Sequence, residues 1–405
     1  MTTKLNHKPI DSGELPTGED MISRMRALKP LLQEQALSNE RLRSLTQKID
    51  AVLRETGAFT MMLPRRWGGP GLSLVDYCRA SVEIGKGDLA ASWVVQIINT
   101  TTWAASLAPD VIQEELFGQG PALVCGVVNV QGTAHKVAGG YRVSGKWPYS
   151  SGSRQADWMM AGCKLVDENG GQAPGLYIAY MPMHALAIAD TWFVTGLQGT
   201  GSDTVVADDV FVPDPMLAAA GGGTAEARKK HAGAPSDWYP VMAVGRATNL
   251  AQLLGGAQQM LELIEADVVK KPLIGTMYQK KAESGAYVHD IGRIAAQLNN
   301  AELILFDSYR RFDERAAAGK GWSDHELARS KAEGAQAVGL IHRSIEEIMF
   351  IGGSSAFALS NPLQRYWRDI HMALRHILHI PQLAFEHYGR QRLELKPDLL
   401  PPGTF

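Results

Sequence analysis

The hydrophobic period changes twice along the 405 residues, from helix-like to strand-like near Gly120 and back again near Tyr239. Residues 17 to 120 place apolar side chains three and four apart among charged ones, as in GEDMISRMRALKPLLQEQALSNERLRSLTQKIDAVLRETG. That is the 3.6-residue repeat of helices with one packed face. Gly57 and the proline-bearing stretch LPRRWGGPG interrupt the repeat, and SLVDYCRASVEIGKGDLAASWVVQIINTTTWAASLA resumes it. The second half of that segment is almost uncharged, which predicts a helix buried beside the centre of the molecule.

Beyond Gly120 come PALVCGVVNV, HKVAGGYRVSGKW, DWMMAGCKLV, GLYIAYMPM, LAIADTWFV and DTVVADDVFVP, short runs of β-branched and aromatic residues punctuated by Gly, Asn, Asp or Pro. No helix of ten or more residues separates them, so an antiparallel sheet or small barrel ending near Pro213 or Pro215 is expected rather than a parallel sheet. AAAGGGTAEARKKHAGAPSD reads as a linker, surface loop or cover. Four helical segments then follow, the last being NPLQRYWRDIHMALRHILHIPQLAFEHYGR, which suits a four-helix bundle. The expected class is α+β: an N-terminal helical domain (1–120), a middle antiparallel β-barrel or sheet domain (121–230) and a C-terminal bundle (231–405).

Forty basic against forty-two acidic residues, with neither sign dominating a long region, argue against nucleic acid as a partner. Cys78, Cys125 and Cys163 are far apart and form no CxxC pair, which fits a reducing compartment. No signal segment or membrane-length apolar run is read, so the chain is expected to be cytoplasmic, with no membrane partner. A GxGxxG turn, a Walker loop, HExxH and GxSxG do not occur, and GGGTAE at 221–226 lacks the strand and acidic residue of a phosphate-binding turn. His371, His376 and His379 fall within nine residues. On one helix, however, 371 and 379 lie about 80° apart and 376 about 140° from 371, so they share no narrow face and no metal is expected.

The stretch SGKWPYSSGSRQADW sets small hydroxyls and glycines beside large rings, and WFVTGLQGTGSDTV repeats that texture fifty residues later. These two segments in this order, followed by MFIGGSSAFALSNPLQRYWRD and HMALRHILH, resemble the acyl-CoA dehydrogenase fold over residues 20 to 390. The closer likeness is to the oxygenase components of two-component flavin-dependent monooxygenases. The resemblance implies that Trp147, Ser150 and Ser151, with Thr200, Gly201 and Ser202, line the flavin, and that Gly352 and Gly353 also bind cofactor. Small residues there let the backbone approach a flavin ring, and N–H or hydroxyl donors stabilise its reduced, negatively charged edge.

Many dehydrogenases of this fold carry a glutamate about eight residues after the Asp of the terminal Arg-Asp pair; counting from Asp369 gives Ile377 here. The other base position, at the start of the first bundle helix, is also without a carboxylate in VMAVGRATNLAQLLGG. The oxygenase branch has a histidine soon after the Arg-Asp pair, and His376 is the first choice for it, with His371 and His379 in reserve. Its implied work is to orient or deprotonate a phenolic hydroxyl, or to stabilise the flavin C4a-(hydro)peroxide. Ser153 is the hydroxyl expected to face the flavin edge. The helix before the sheet lacks the second active-site histidine of several aromatic hydroxylases, leaving Trp93, Asn99, Thr101 or Thr102 to meet substrate.

The implied activity is oxygenation, with reduced FMN or reduced FAD and O2, of a small aromatic or heteroatom-containing molecule. Reduced flavin is expected from a separate NAD(P)H:flavin reductase, and a homotetramer is implied. The alternatives are an acyl-CoA dehydrogenase or related flavin oxidase, and a non-catalytic flavin-binding protein.

Overall fold

The computed structural model describes residues 15–220 and 234–396. Helix α1 (Gly18–Leu42) starts at a capping box in which Thr17 and Asp20 each accept the other's backbone N–H, and it stops where Arg43 turns left-handed. After α2 (Gln47–Glu55) come α3 (Leu74–Gly87), α4 (Leu89–Ala105) and α5 (Asp110–Phe117). Asp88 separates α3 from α4 and caps the latter by accepting from the Ala90 N–H. Helix α4 is buried on almost every side, as its uncharged sequence predicts.

The middle region is one seven-stranded mixed sheet, not closed into a barrel, in the order β5-β6-β2-β1-β3-β4-β7. Its strands are β1 (Val124–Val137), β2 (Gly140–Trp147), β3 (Trp158–Val166), β4 (Tyr177–Pro182), β5 (Ala187–Ala189), β6 (Thr204–Pro213) and β7 (Leu217–Ala219). The expectation of purely antiparallel pairing is corrected at the centre, where β1 and β3 run parallel with a register shift between Val127 and Gly132. A crossover helix is needed only between consecutive parallel strands. Here β2 runs back antiparallel to β1, and residues 148–157 carry the chain past the N-terminal end of β1 to its other side.

The C-terminal helices are α6 (Val241–Val268), α7 (Gly285–Ala317), α8 (Asp324–Gly352), α9 (Pro362–Ala373) and α10 (Pro381–Arg392). The expected fourth bundle helix is therefore broken. Helix α9 ends before Leu374, His376 opens a 3-10 turn (Ile377–His379), and Pro381 starts α10. A proline tolerated at the first turn of a helix cannot continue the one before it.

One hydrophobic core joins Met25 of α1, Trp103 of α4, Leu254 of α6, Ile341 of α8 and Ile370 of α9, so the first and last helices pack as one body. Helices α3 and α6 cross closely because each offers a glycine. A Cβ on Gly85 would sit 2.4 Å from the Gln252 carbonyl oxygen, and one on Gly255 2.2 Å from that of Val82. A second core, including Trp147, Met159 and Met181, lies beneath the sheet against α5. Among the described residues no helix is long and apolar enough to cross a membrane. The GGGTAE stretch and most of the expected linker, with the boundary at residue 230, lie outside the described residues.

Candidate functional site

The two hydroxyl-rich segments meet at one end of the sheet, and a carboxylate locks them together. Asp203 is 1% exposed; its Oδ1 accepts from the backbone N–H groups of Thr191 (2.9 Å) and Trp192 (3.1 Å), and its Oδ2 from Arg154 Nε (3.0 Å) and Nη2 (2.7 Å). Its carbonyl accepts from Ser150 N–H at 3.0 Å. A second carboxylate fixes this frame to α9: the Leu197 N–H donates to Asp369 Oδ1 at 2.5 Å. Burial pushes Asp369 up to about 7, against the lowering effect of that hydrogen bond.

Inside the frame, side chains from α4 and both segments form a directional chain. Trp93 Nε1 donates to Ser151 Oγ (3.1 Å), Ser151 and Ser202 hydroxyls meet at 2.6 Å, Ser202 and Thr200 at 2.7 Å, and Thr200 Oγ1 donates to the Leu197 carbonyl (2.9 Å). A hydroxyl has one proton. Thr200 donates its own to Leu197, so it accepts from Ser202, which in turn accepts from Ser151. Every proton in the run is committed. Ser150 is committed too, its Oγ donating to the Trp147 carbonyl at 2.8 Å. Ser153 differs: it is 2% exposed, and its Oγ is buried without a hydrogen-bond partner. A buried hydroxyl left unpaired costs about 1–3 kcal/mol, so it marks a place where a partner is expected.

The other half of the site comes from the break after α9. His376 caps the 3-10 turn, its Nδ1 accepting from the Leu378 N–H at 3.3 Å. Nδ1 is therefore unprotonated, and in the neutral ring Nε2 carries the hydrogen. Burial holds the ring's pKa below the ordinary histidine value and keeps it neutral at pH 7. The imidazole stands edge-on to Trp93, with ring centroids 5.8 Å apart, so Trp93 touches both the hydroxyl chain and His376. As placed, His376 can donate from Nε2 to a ligand oxygen. To act as a base there it must change tautomer and give up its cap.

Several expected site residues have structural duties instead. The Trp147 ring is fully buried in the sheet core, where Cβ atoms on Gly132 and Gly145 would fall 2.3 and 2.7 Å from it, and its Nε1 donates to the Gly162 carbonyl at 3.0 Å. It packs the frame from beneath and does not line a cleft. Asn99 donates to the carbonyls of Ala58 and Val95 and accepts from the Met62 N–H, so both of its amide hydrogens are spent and it has no donor for substrate. Thr102 accepts from the Val124 N–H, and the single proton of the Thr101 hydroxyl is shared between the Ile97 and Val124 carbonyls, both within hydrogen-bond reach. All three tie α4 to its neighbours. Gly201 adopts φ +56° and closes the second segment. Gly352 packs on Ala356, Leu363 and Ile264, and Gly353 ends α8 at φ +65°; none of these neighbours belongs to the hydroxyl chain.

His371 turns towards α8, where its Nε2 meets Glu346 Oε1 at 2.5 Å. His379 is buried beside His376, at 6.0 Å between centroids, and neither of its nitrogens finds a hydrogen-bond partner. Burial, with His376 and Arg246 nearby, pushes its pKa down to about 3. Ile377, at the dehydrogenase base position, is 65% exposed. A groove of about 420 Å³ between α1, α3, α6 and α7, lined by charges such as Arg26, Arg79, Glu83 and Glu262, shares no residue with this site. Sequence reasoning missed Asp203, Arg154 and the holding role of Asp369; an acidic residue directly after TGS was the available signal.

Residues 247–381 match the family described as acyl-CoA dehydrogenase, C-terminal domain. The flavin-dependent monooxygenase oxygenase subunit HsaA of Rhodococcus jostii is 28% identical over 373 residues, covering 91% of this chain and 97% of that protein. The FADH(2)-dependent resorcinol hydroxylase oxygenase component of Rhizobium sp. is 26% identical over 394 residues, covering 93% and 95%. Among solved structures, XiaF from Streptomyces sp. in complex with FADH2 and glycerol has a TM-score of 0.91 and 27% identity, covering 95% of this chain and 97% of that one.

Proposed function

We infer that this chain, an acyl-CoA dehydrogenase-fold protein closely related to the HsaA-type oxygenase components of two-component flavin monooxygenases, oxygenates an aromatic or heteroatom-containing small molecule with reduced flavin and O2. The observation that carries the site assignment is a contrast: at Trp93 a run of hydroxyls whose protons are all committed meets one neutral imidazole with a donor to spare, His376, while the same first segment holds one buried uncommitted hydroxyl, Ser153.

The residues fit a reduced flavin. Its N1-C2=O edge is rich in acceptors, and the orphaned Ser153 Oγ is a buried donor lacking one. Ser151, Thr200, Gly201 and Ser202 would border the ring with small side chains that let it approach, with Asp203 and Arg154 keeping both segments in place. When bound, reduced flavin supplies the two electrons; flavin, O2 and substrate go to oxidised flavin, water and oxygenated product. Trp93 forms an apolar wall and, with the uncharged surface of α4, excludes water. His376 donates from Nε2 to a substrate oxygen or ring heteroatom and orients it; holding a phenol this way brings general acid–base catalysis within reach if the tautomer shifts.

That the relatives are oxygenase subunits or components supports a reading in which a separate NAD(P)H:flavin reductase supplies the reduced flavin. A homotetramer is part of the same reading. Phe350 (82% exposed), Phe357 (54%) and Leu359 (82%) flank Gly353 in sequence as exposed apolar side chains suited to cover by a second copy, which would bring Gly352 and Gly353 to a neighbour's cofactor. The test is anaerobic titration of the protein with FMNH2 and FADH2, followed by 18O2 in the presence of phenols, indoles and sulfur heterocycles. Saturable flavin binding and a product carrying one labelled oxygen are expected. Reoxidation at the free-flavin rate with no labelled product would overturn the assignment.

A further inference from the structure

A second cluster lies on the other side of the α9 break, and it does not depend on the flavin reading. His342 and Glu346 are four residues apart on α8 and so project from one face of that helix. His371 of α9 reaches the same point. One ligand atom from each of the three lies within 4.8 Å of the others, and the two imidazoles pack edge to face at 5.1 Å between centroids. The carboxylate is also aimed. Trp367 Nε1 donates to Glu346 Oε1 at 2.8 Å, as an outer partner of a metal-bound carboxylate does.

We propose that His342, Glu346 and His371 form a binding site for a divalent transition metal of the zinc type, which clamps α9 onto α8. Two imidazoles and one carboxylate suit Zn²⁺, Ni²⁺ or Cu²⁺, whereas Mg²⁺ and Ca²⁺ call for oxygen donors. Tetrahedral coordination brings ligand atoms to about 3.3 Å from one another, so side-chain rotation alone closes the set, leaving a fourth position for water. The proton arrangement is compatible. Arg375 Nη1 donates to His371 Nδ1 at 3.2 Å, so Nε2 carries the hydrogen given to Glu346. A metal at Nε2 takes the place of that hydrogen, which moves to Nδ1, and the exposed Arg375 side chain lets go.

Clamping matters because α9 also carries Asp369, two residues before His371, and Asp369 holds the Leu197 N–H of the hydroxyl frame. His371 is thus a ligand at the back of α9, where the sequence had suggested a catalytic role. The test uses tag-free, EDTA-treated full-length protein and ZnCl2, with bound metal measured by equilibrium dialysis and elemental analysis and the thermal midpoint followed in parallel. One Zn²⁺ per chain at micromolar affinity and a raised midpoint are expected. His342→Ala and Glu346→Gln should each weaken binding about 10- to 100-fold and abolish the midpoint rise. The second substitution keeps the size of the side chain should the first perturb folding. Absence of stoichiometric Zn²⁺ on the wild type, or unchanged binding in both variants, would overturn the proposal.

Discussion

The two halves of the candidate site are built on opposite terms. At the sheet end, Asp203, Arg154, Ser150, Ser151, Ser202 and Thr200 spend their hydrogen bonds on one another and on the backbone, and the result is a frame with one exception, Ser153. At the helix break, His376 uses one nitrogen as a cap and keeps the other, while His379 behind it uses neither. A committed network positions, because moving any member breaks a neighbour's bond. A side chain with an unspent donor acts on whatever enters. On the proposed function the chemistry rests with Ser153 and His376, and the geometry with the committed network.

Removing the imaginary symmetry between the halves calls first for His376→Ala. Coupled product formation should fall about 100- to 10,000-fold, with reduced-flavin affinity changed only a few-fold, as measured by single-turnover product yield against anaerobic titration. Asp203→Asn should act the other way. It leaves Arg154 without its partner, and because that guanidinium is part-exposed the loss is about 2–3 kcal/mol, read from the urea midpoint, together with weaker flavin binding. Ser153→Ala is expected to lower coupled turnover about tenfold while leaving the urea midpoint unchanged or slightly raised, since it deletes a buried unpaired hydroxyl. A clear drop in stability would return Ser153 to the structural group.

A different kind of effect concerns pH. His379 is held neutral by burial down to about 3, whereas an unfolded histidine takes up its proton near 6.5. Between those values the unfolded chain binds the extra proton, so stability falls as pH falls from 6.5 towards 3. His379→Leu should make that decline shallower in denaturant titrations at pH 7, 6 and 5, without loss at pH 7. His376 and His387, also lowered by burial, keep part of the slope.

The alternation of periods made the helix-sheet-helix order legible, and the uncharged run 89–105 announced its own burial. The hydroxyl segments stood out because a core strand has no use for SSGS or TGS. Other features were hidden for physical reasons. Strand order is a property of the whole sheet, so the parallel β1–β3 pair could not be read from run lengths. The end of α9 depends on His376 capping the next turn, which looks in sequence like one more helical residue. Asn99 and Thr102 sat on the right helix for substrate, but polar side chains on a buried helix must satisfy the backbone around them first. Trp147 needed the facing glycines 132 and 145 to be recognised as core. His342 and Glu346 meet His371 only through tertiary packing, some thirty residues away in sequence.

The most direct test of this division of labour is the partition of reduced flavin between oxygenated product and hydrogen peroxide, measured in a single turnover for wild type and His376→Ala at saturating flavin. The account predicts mainly product from the wild type and almost only peroxide from the variant, with both proteins binding flavin. Equal coupling in the two proteins would contradict it and remove His376 from the reaction.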